Sequence, residues 1–176
     1  SYGRADLAFE RGEGAYLFST DGKSYLDFAA GVAVNALGHN HPRLVKALTE
    51  QAGKLWHVSN LYRVPEQEEL ARKLVSASFA DSAFFCNSGA EAVEAGIKIV
   101  RKYQAATGHP ERYRIISFDS SFHGRTLSTI AAANNAAHVA GFGPMPDGFD
   151  QVSFGNLNEL RNAITPETAG IIVEPI

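Results

Sequence analysis

The sequence predicts an α/β fold, a mainly parallel sheet with helices on both faces, preceded by a small antiparallel hairpin. Three observations predict it. Short apolar runs recur at Ala83–Cys86, Arg114–Phe118, Gln151–Phe154 and Gly170–Val173. Stretches with helical spacing fill the intervals between them. Upstream of all of these, two apolar segments flank an Asp-Gly turn. Continuous apolar strands alternating with helices belong to parallel sheets buried on both sides, because the crossover helices cover the faces. In such sheets ligands sit beyond the carboxyl ends of the strands.

In chain order, Ala15–Phe18 and Ser24–Phe28 flank Thr20-Asp21-Gly22-Lys23, and Asp-Gly is a strong tight-turn signal. Pro42 opens a helix through about Lys54, with Leu44, Val45 and Leu48 at helical spacing. Pro65 opens another to about Ser78, with Leu70, Leu74 and Val75 on one stripe. The strand Ala83–Cys86 meets Asn87-Ser88-Gly89, and a helix runs from Ala90 to about Ala106. Arg114–Phe118 is the next strand, followed by a polar turn and a helix from about Arg125. A strand around Gln151–Phe154 and a short helix near Leu157–Ile164 precede the last strand, Gly170–Val173. A parallel unit continues into a crossover helix, so a sequence closing on Glu174-Pro175-Ile176 reads as a truncated fold.

The chain's 176 residues are 45% hydrophobic and 20% charged, with formal net charge -3 and both signs mixed along the chain. That balance leaves no footprint for nucleic acid and no polybasic face for a membrane. No apolar run approaches the roughly 20 residues of a membrane helix. No basic-then-apolar leader opens the sequence. A single cysteine, Cys86, excludes an internal disulfide and suits a reducing cytoplasm. Inside an apolar run it reads as a buried structural thiol rather than a nucleophile.

Three strand-end turns are candidates for chemistry. Asn87-Ser88-Gly89-Ala90-Glu91 opens a helix, where unpaired N–H groups and the helix dipole favour an anion. Gly89 admits close backbone approach and Ser88 can donate a hydroxyl hydrogen bond, together enough to hold a phosphate. The same residues also read as a plain cap, with Glu91 completing a capping box. In Ser120–Thr126, Phe122 can stack on a flat heteroaromatic ring and Arg125 offers a planar fork to a carboxylate. Taken alone, the turn reads rather as a core Phe122 and a solvated helix residue Arg125. Glu174, just past the last strand, is either a site carboxylate or a rim charge. Together the three turns describe a pocket for a phosphorylated aromatic cofactor and a carboxylate substrate.

The string FFCNSGAEAVEAGIKIVRKY resembles the phosphate-loop segment of the class III pyridoxal-phosphate-dependent aminotransferases. SFHGRT resembles their cofactor-stacking turn, and IIVEPI the start of their V-E-P-I-Q-G-E segment. DGKSYLDFAAGVAVNALGHNHP, LWHVSN and GFGPMPDGF add further matches, so the resemblance spans the chain. It implies a type I pyridoxal-phosphate-transferase fold. Residues 1–35 would belong to a small domain and residues 36–176 to the first part of a large cofactor-binding domain.

The resemblance also implies roles. Ser88, Gly89 and Ala90 would hold the phosphate of pyridoxal 5'-phosphate, Phe122 would stack on its ring, and Glu174 would lie beside it. Arg125 would bind the substrate α-carboxylate, and Tyr2 aligns with a substrate-contacting tyrosine. Val32, where ornithine-using members tend to carry tyrosine, points to an N-acylated donor, N-acetylornithine, and the resemblance implies 2-oxoglutarate as acceptor. Ornithine, succinylornithine and 4-aminobutyrate are the alternatives. A homodimer is implied, and the family's cofactor-anchoring lysine is expected downstream. Lys23 sits in the hairpin turn, and Lys46, Lys54, Lys73, Lys98 and Lys102 on helical stretches, so this stretch alone should not transaminate. The rival from another class is a binding homologue that keeps the phosphate nest without the lysine.

Other chemistries lack their spacing. His39-Asn40-His41 is the one close histidine pair, without a spaced cysteine pair or H-E-x-x-H, so no metal site is expected. Ser88 sits in C-N-S-G-A rather than G-x-S-x-G.

Overall fold

The computed structural model describes residues 3–175. Its contacts divide into two compact units, Ser1–Leu70 and Ala71–Ile176.

The first unit is a three-stranded antiparallel sheet with helices following it. β1 (Phe9–Glu13), β2 (Tyr16–Ser19) and β3 (Ser24–Leu26) lie in sequence order. The β2–β3 hairpin is the expected one. Gly22 takes φ of 83° at its tip, and buried Ser19 fastens the turn by donating to the Asp21 carboxylate. β1 carries no strand signal of its own: FERGE has charges where alternation would need apolar residues, and its pairing to β2 is irregular between Phe9 and Arg11. After β3 comes a single left-handed turn, α1 (Ala30–Ala33), with φ between 45° and 66° throughout. Such backbone suits Gly31 and is costly for the β-branched Val32. His39 closes the unit: it exchanges backbone bonds with Gly14, and its Nε2 lies 2.7 Å from Asp27 Oδ2. α2 (Pro42–Ala52) and α3 (Pro65–Ser76), whose last turns after Leu70 belong to the second unit, start at their prolines as expected. Their apolar stripes, Leu44, Leu48, Leu70 and Leu74, are exposed.

The second unit carries the parallel sheet. Its elements run α4 (Gly89–Ala106), β4 (Arg114–Phe118), α5 (Leu127–Ala133), α6 (Ala136–Val139), β5 (Phe149–Val152), α7 (Leu157–Ala163) and β6 (Thr168–Ile171). β4 is central, with β5 and β6 parallel on either side. Side chains alternate along a strand, and β4 shows it. Ile116 and Phe118 join Val152 in a buried cluster packed by Leu160 and Ala163 of α7. On the other side, fully buried Ser117 donates to Ala132 O of α5 at 2.6 Å. Helices therefore cover both faces, as expected. At the amino edge, Arg114 makes a two-pronged bond to Asp150 at 2.9 and 2.6 Å, tying β4 to β5. Those carboxylate bonds push its already high pKa further up.

Three expectations are corrected by the structure. Ala83–Cys86 is not a strand. A strand exists only by pairing, β4 already has both neighbours, and no described strand pairs with this segment. Cys86 is consequently exposed rather than buried. The last two strands begin and end two residues earlier than expected, because register with β4 decides them. Phe118 pairs with Val152 and Ile116 with Ile171, and beyond those pairs the ladder has no partner. Among the described residues no helix is long and apolar enough to cross a membrane.

Candidate functional site

Parallel strands put their carboxyl ends on one edge, so the turn after β4 and the segment after β6 meet there. The N-terminus of α4 joins them.

α4 has 18 residues, and a helix of that length presents a full partial positive charge at its start. Ser88 is the N-cap, extended at φ -154° and ψ 161°, and its Oγ accepts the Glu91 N–H at 3.2 Å. The Glu91 carboxylate reaches back to the Asn87 N–H at 2.5 Å and to the Asn87 amide at 3.3 Å. These bonds hold the Glu91 carboxyl below the usual carboxylate range. The capping reading is therefore realised, with Asn87 rather than Ser88 as the back-bonded residue. It does not exhaust the site. The Gly89 and Ala90 N–H groups have no partner among the described residues, and the Ser88 hydroxyl proton remains free to donate. A Cβ on Gly89 would meet no atom within 4 Å, so the space before this helix end is open.

The turn after β4 is strained and pinned. Ser120 takes φ of 59°, a conformation unusual outside glycine. Ser121 and His123 are buried, while Phe122 between them is 51% exposed. The Phe122 N–H donates to Glu174 Oε2 at 2.8 Å. Gly124, at φ 128°, lies so close to α4 that a Cβ there would fall 2.8 Å from the Ala90 Cβ. Next to it Thr126 caps α5 and donates to Glu94 of α4 at 2.5 Å, a second tie between turn and helix. The Arg125 guanidinium lies 5.4 Å from the centroid of the Phe122 ring and has no carboxylate partner among the described residues.

These ties create a cavity of about 350 Å³ lined by Gly89, Ala90, Val93, Phe122, His123, Gly124 and Arg125. It brings together the free N–H groups, the exposed ring and the unpaired guanidinium. Ser88 stands at its helix end. Glu174 does not line it. It reaches the Phe122 backbone and borders a smaller hollow of about 170 Å³ with Phe118 and Ser121. Tyr2 lies outside the described residues. None of the six lysines lines either hollow.

The residues present fit a phosphorylated aromatic ligand. Two unpaired N–H groups, a hydroxyl proton and open space answer to a phosphate, and an exposed aromatic face to a flat ring. Sequence reasoning misses His123 and the Gly124–Ala90 approach. His123 lies within the SFHGRT string, but its burial has no local signal. Gly124 sits in a motif already noted, but which helix it touches depends on the fold.

The aminotransferase class-III family matches residues 1–176. An acetylornithine aminotransferase of Brucella melitensis is 61% identical over 176 residues, covering 100% of this chain and 44% of the relative. Among solved structures, the N-acetylornithine aminotransferase of Stenotrophomonas maltophilia K279a superposes with a TM-score of 0.80 at 39% identity, over 99% of this chain and 43% of that one. The ornithine aminotransferase of Toxoplasma gondii, in which PLP partly occupies the active site, superposes at 0.94 and 28% identity, over 100% and 42%. The chain thus spans about 44% of the length of the curated relatives it matches.

Proposed function

Because the chain belongs to the class-III aminotransferase family, we propose that its cavity holds pyridoxal 5'-phosphate in an enzyme moving an amino group between N-acetylornithine and 2-oxoglutarate. One observation carries this reading. Gly89 and Ala90, whose N–H groups have no partner among the described residues, the exposed Phe122 ring and Arg125, which has no carboxylate partner among them, line a single cavity. The donor follows from the 61% identity to an acetylornithine aminotransferase and from Val32.

Ser88, Gly89 and Ala90 hold the phosphate at the positive end of α4, where no lysine is needed. Phe122 supports the ring and keeps water from one side of it. Glu174 fixes the Phe122 backbone. Arg125 clamps the α-carboxylate of donor and acceptor with two parallel hydrogen bonds, which orients the reacting carbon. Bound pyridoxal phosphate supplies the electron sink. The proton-moving lysine lies in sequence following this stretch. In the same reading residues 1–35 belong to a small domain and 36–176 to the large one, Tyr2 contacts substrate, and the whole protein is a cytoplasmic homodimer.

The test is the absorbance spectrum of the gene product containing these residues, at natural length. A visible band lost to a near-ultraviolet pyridoxamine band on adding N-acetylornithine supports the reading. Loss with ornithine or 4-aminobutyrate alone keeps the family and overturns the donor. No band with excess pyridoxal phosphate leaves a binding homologue.

A further inference from the structure

Resting on the pyridoxal-phosphate reading of the same cavity, we propose that His123 is a positioning residue for the Phe122 ring, acting through Ser121. The hydrogen bonds fix which ring nitrogen carries a proton toward Ser121. Ser121 Oγ donates its single proton to Phe118 O at 2.6 Å, at the end of β4. Toward His123 Nε2, 3.1 Å away, it can therefore only accept. Nε2 of His123 therefore carries a proton, and a relay runs from imidazole to hydroxyl to strand carbonyl.

The relay matters because of where Phe122 stands. A ring that is half in contact with solvent is not held by burial of its own surface. Its neighbours hold it. Ser121 and His123 are 8% and 6% exposed, and their mutual bond fixes the peptide planes on both sides of Phe122. Glu174 fixes the N–H between them. The edge of His138 meets the ring at 6.3 Å, which limits its swing but makes no hydrogen bond. Without the relay, a turn already strained at Ser120 has a route to relax. The charged groups that face His123 are Glu174 and, across the cavity lining, Arg125. Burial favours the neutral imidazole and Glu174 opposes it more weakly.

The experiment compares full-length wild type with Ser121→Ala, His123→Leu, their double variant and His123→Gln, reading pyridoxal phosphate Kd from the visible band. Ser121→Ala and His123→Leu each raise Kd about tenfold, the effect of one buried hydrogen bond. The double variant binds no worse than the weaker single one, because both remove the same bond. His123→Gln, whose amide N–H reaches the same oxygen, stays within about threefold of wild type on the same grounds. Should the leucine variant fail to fold, Ser121→Ala and His123→Gln carry the comparison alone. Unchanged Kd in Ser121→Ala, multiplying effects in the double variant, or a glutamine variant as weak as leucine overturns the proposal while leaving the cofactor reading intact. A wild type that takes up no pyridoxal phosphate overturns both together.

Discussion

The backbone N–H of Phe122 donates to Glu174 Oε2 at 2.8 Å, joining the turn after β4 to the segment after β6. Through this bond Glu174 orients the residue that faces the cavity. Replacing Glu174 by Ala removes the acceptor, whereas Gln keeps an oxygen at the same reach. We expect pyridoxal phosphate affinity to fall about tenfold in the alanine variant and about threefold in the glutamine variant, as for one charge-assisted hydrogen bond. Equal losses in the two variants would show that Glu174 acts through its charge on the ligand instead.

Gly89 and Gly124 should respond in opposite ways to alanine. At Gly124 a Cβ meets the Ala90 Cβ at 2.8 Å and the backbone is at φ 128°, so Gly124→Ala strains the fold itself. We expect a loss of about 2 kcal/mol or more in urea unfolding. At Gly89 a Cβ meets nothing, so Gly89→Ala should unfold within about 0.5 kcal/mol of wild type. Its methyl group enters the space the phosphate needs, and cofactor affinity should fall at least tenfold by the steric argument. Normal affinity in Gly89→Ala would remove this end of α4 from the site.

Arg125 lies over Phe122 without a carboxylate partner among the described residues, which leaves its fork available. Arg125→Ala should raise the KM for 2-oxoglutarate on the order of 100-fold, the loss of a two-pronged bond. Lysine restores charge without the fork, so Arg125→Lys should recover only a small part. The visible band should keep its strength in both. A band lost together with substrate binding would make Arg125 part of the cofactor's own support.

Much of this is legible in the sequence where local chemistry decides. Pro42 and Pro65 fix helix starts, Asp21-Gly22 fixes a turn, and Arg114–Phe118 is apolar enough to be a central strand in any register. What sequence misses depends on partners. Ala83–Cys86 has strand composition but no ladder, and the boundaries of β5 and β6 follow from pairing with β4. The site divides the same way. Ser88 and Phe122 declare themselves by motif. Burial of His123 and the approach of Gly124 to Ala90 are properties of packing between segments more than 30 residues apart.

Burial of His123 also ties stability to pH, in a definite direction. Its pKa lies below the ordinary 6.5, chiefly because burial penalises the charged ring, with Glu174 pulling weakly the other way. The unfolded chain therefore binds a proton near pH 6.5 that the folded chain refuses. Where the unfolded state holds more protons, stability rises with pH. The neutral-imidazole contribution is thus fully present above pH 6.5 and is lost as pH falls from there toward the lowered folded value. Glutamine at this position does not titrate. Urea midpoints of wild type and His123→Gln, measured from about pH 8 to about pH 5, should lie closest at the alkaline end and separate in acid, where only wild type loses stability. Every other titrating group is common to both proteins and cancels in the difference. Parallel midpoint curves across that range would mean that His123 protonates as readily in the folded chain as in the unfolded one.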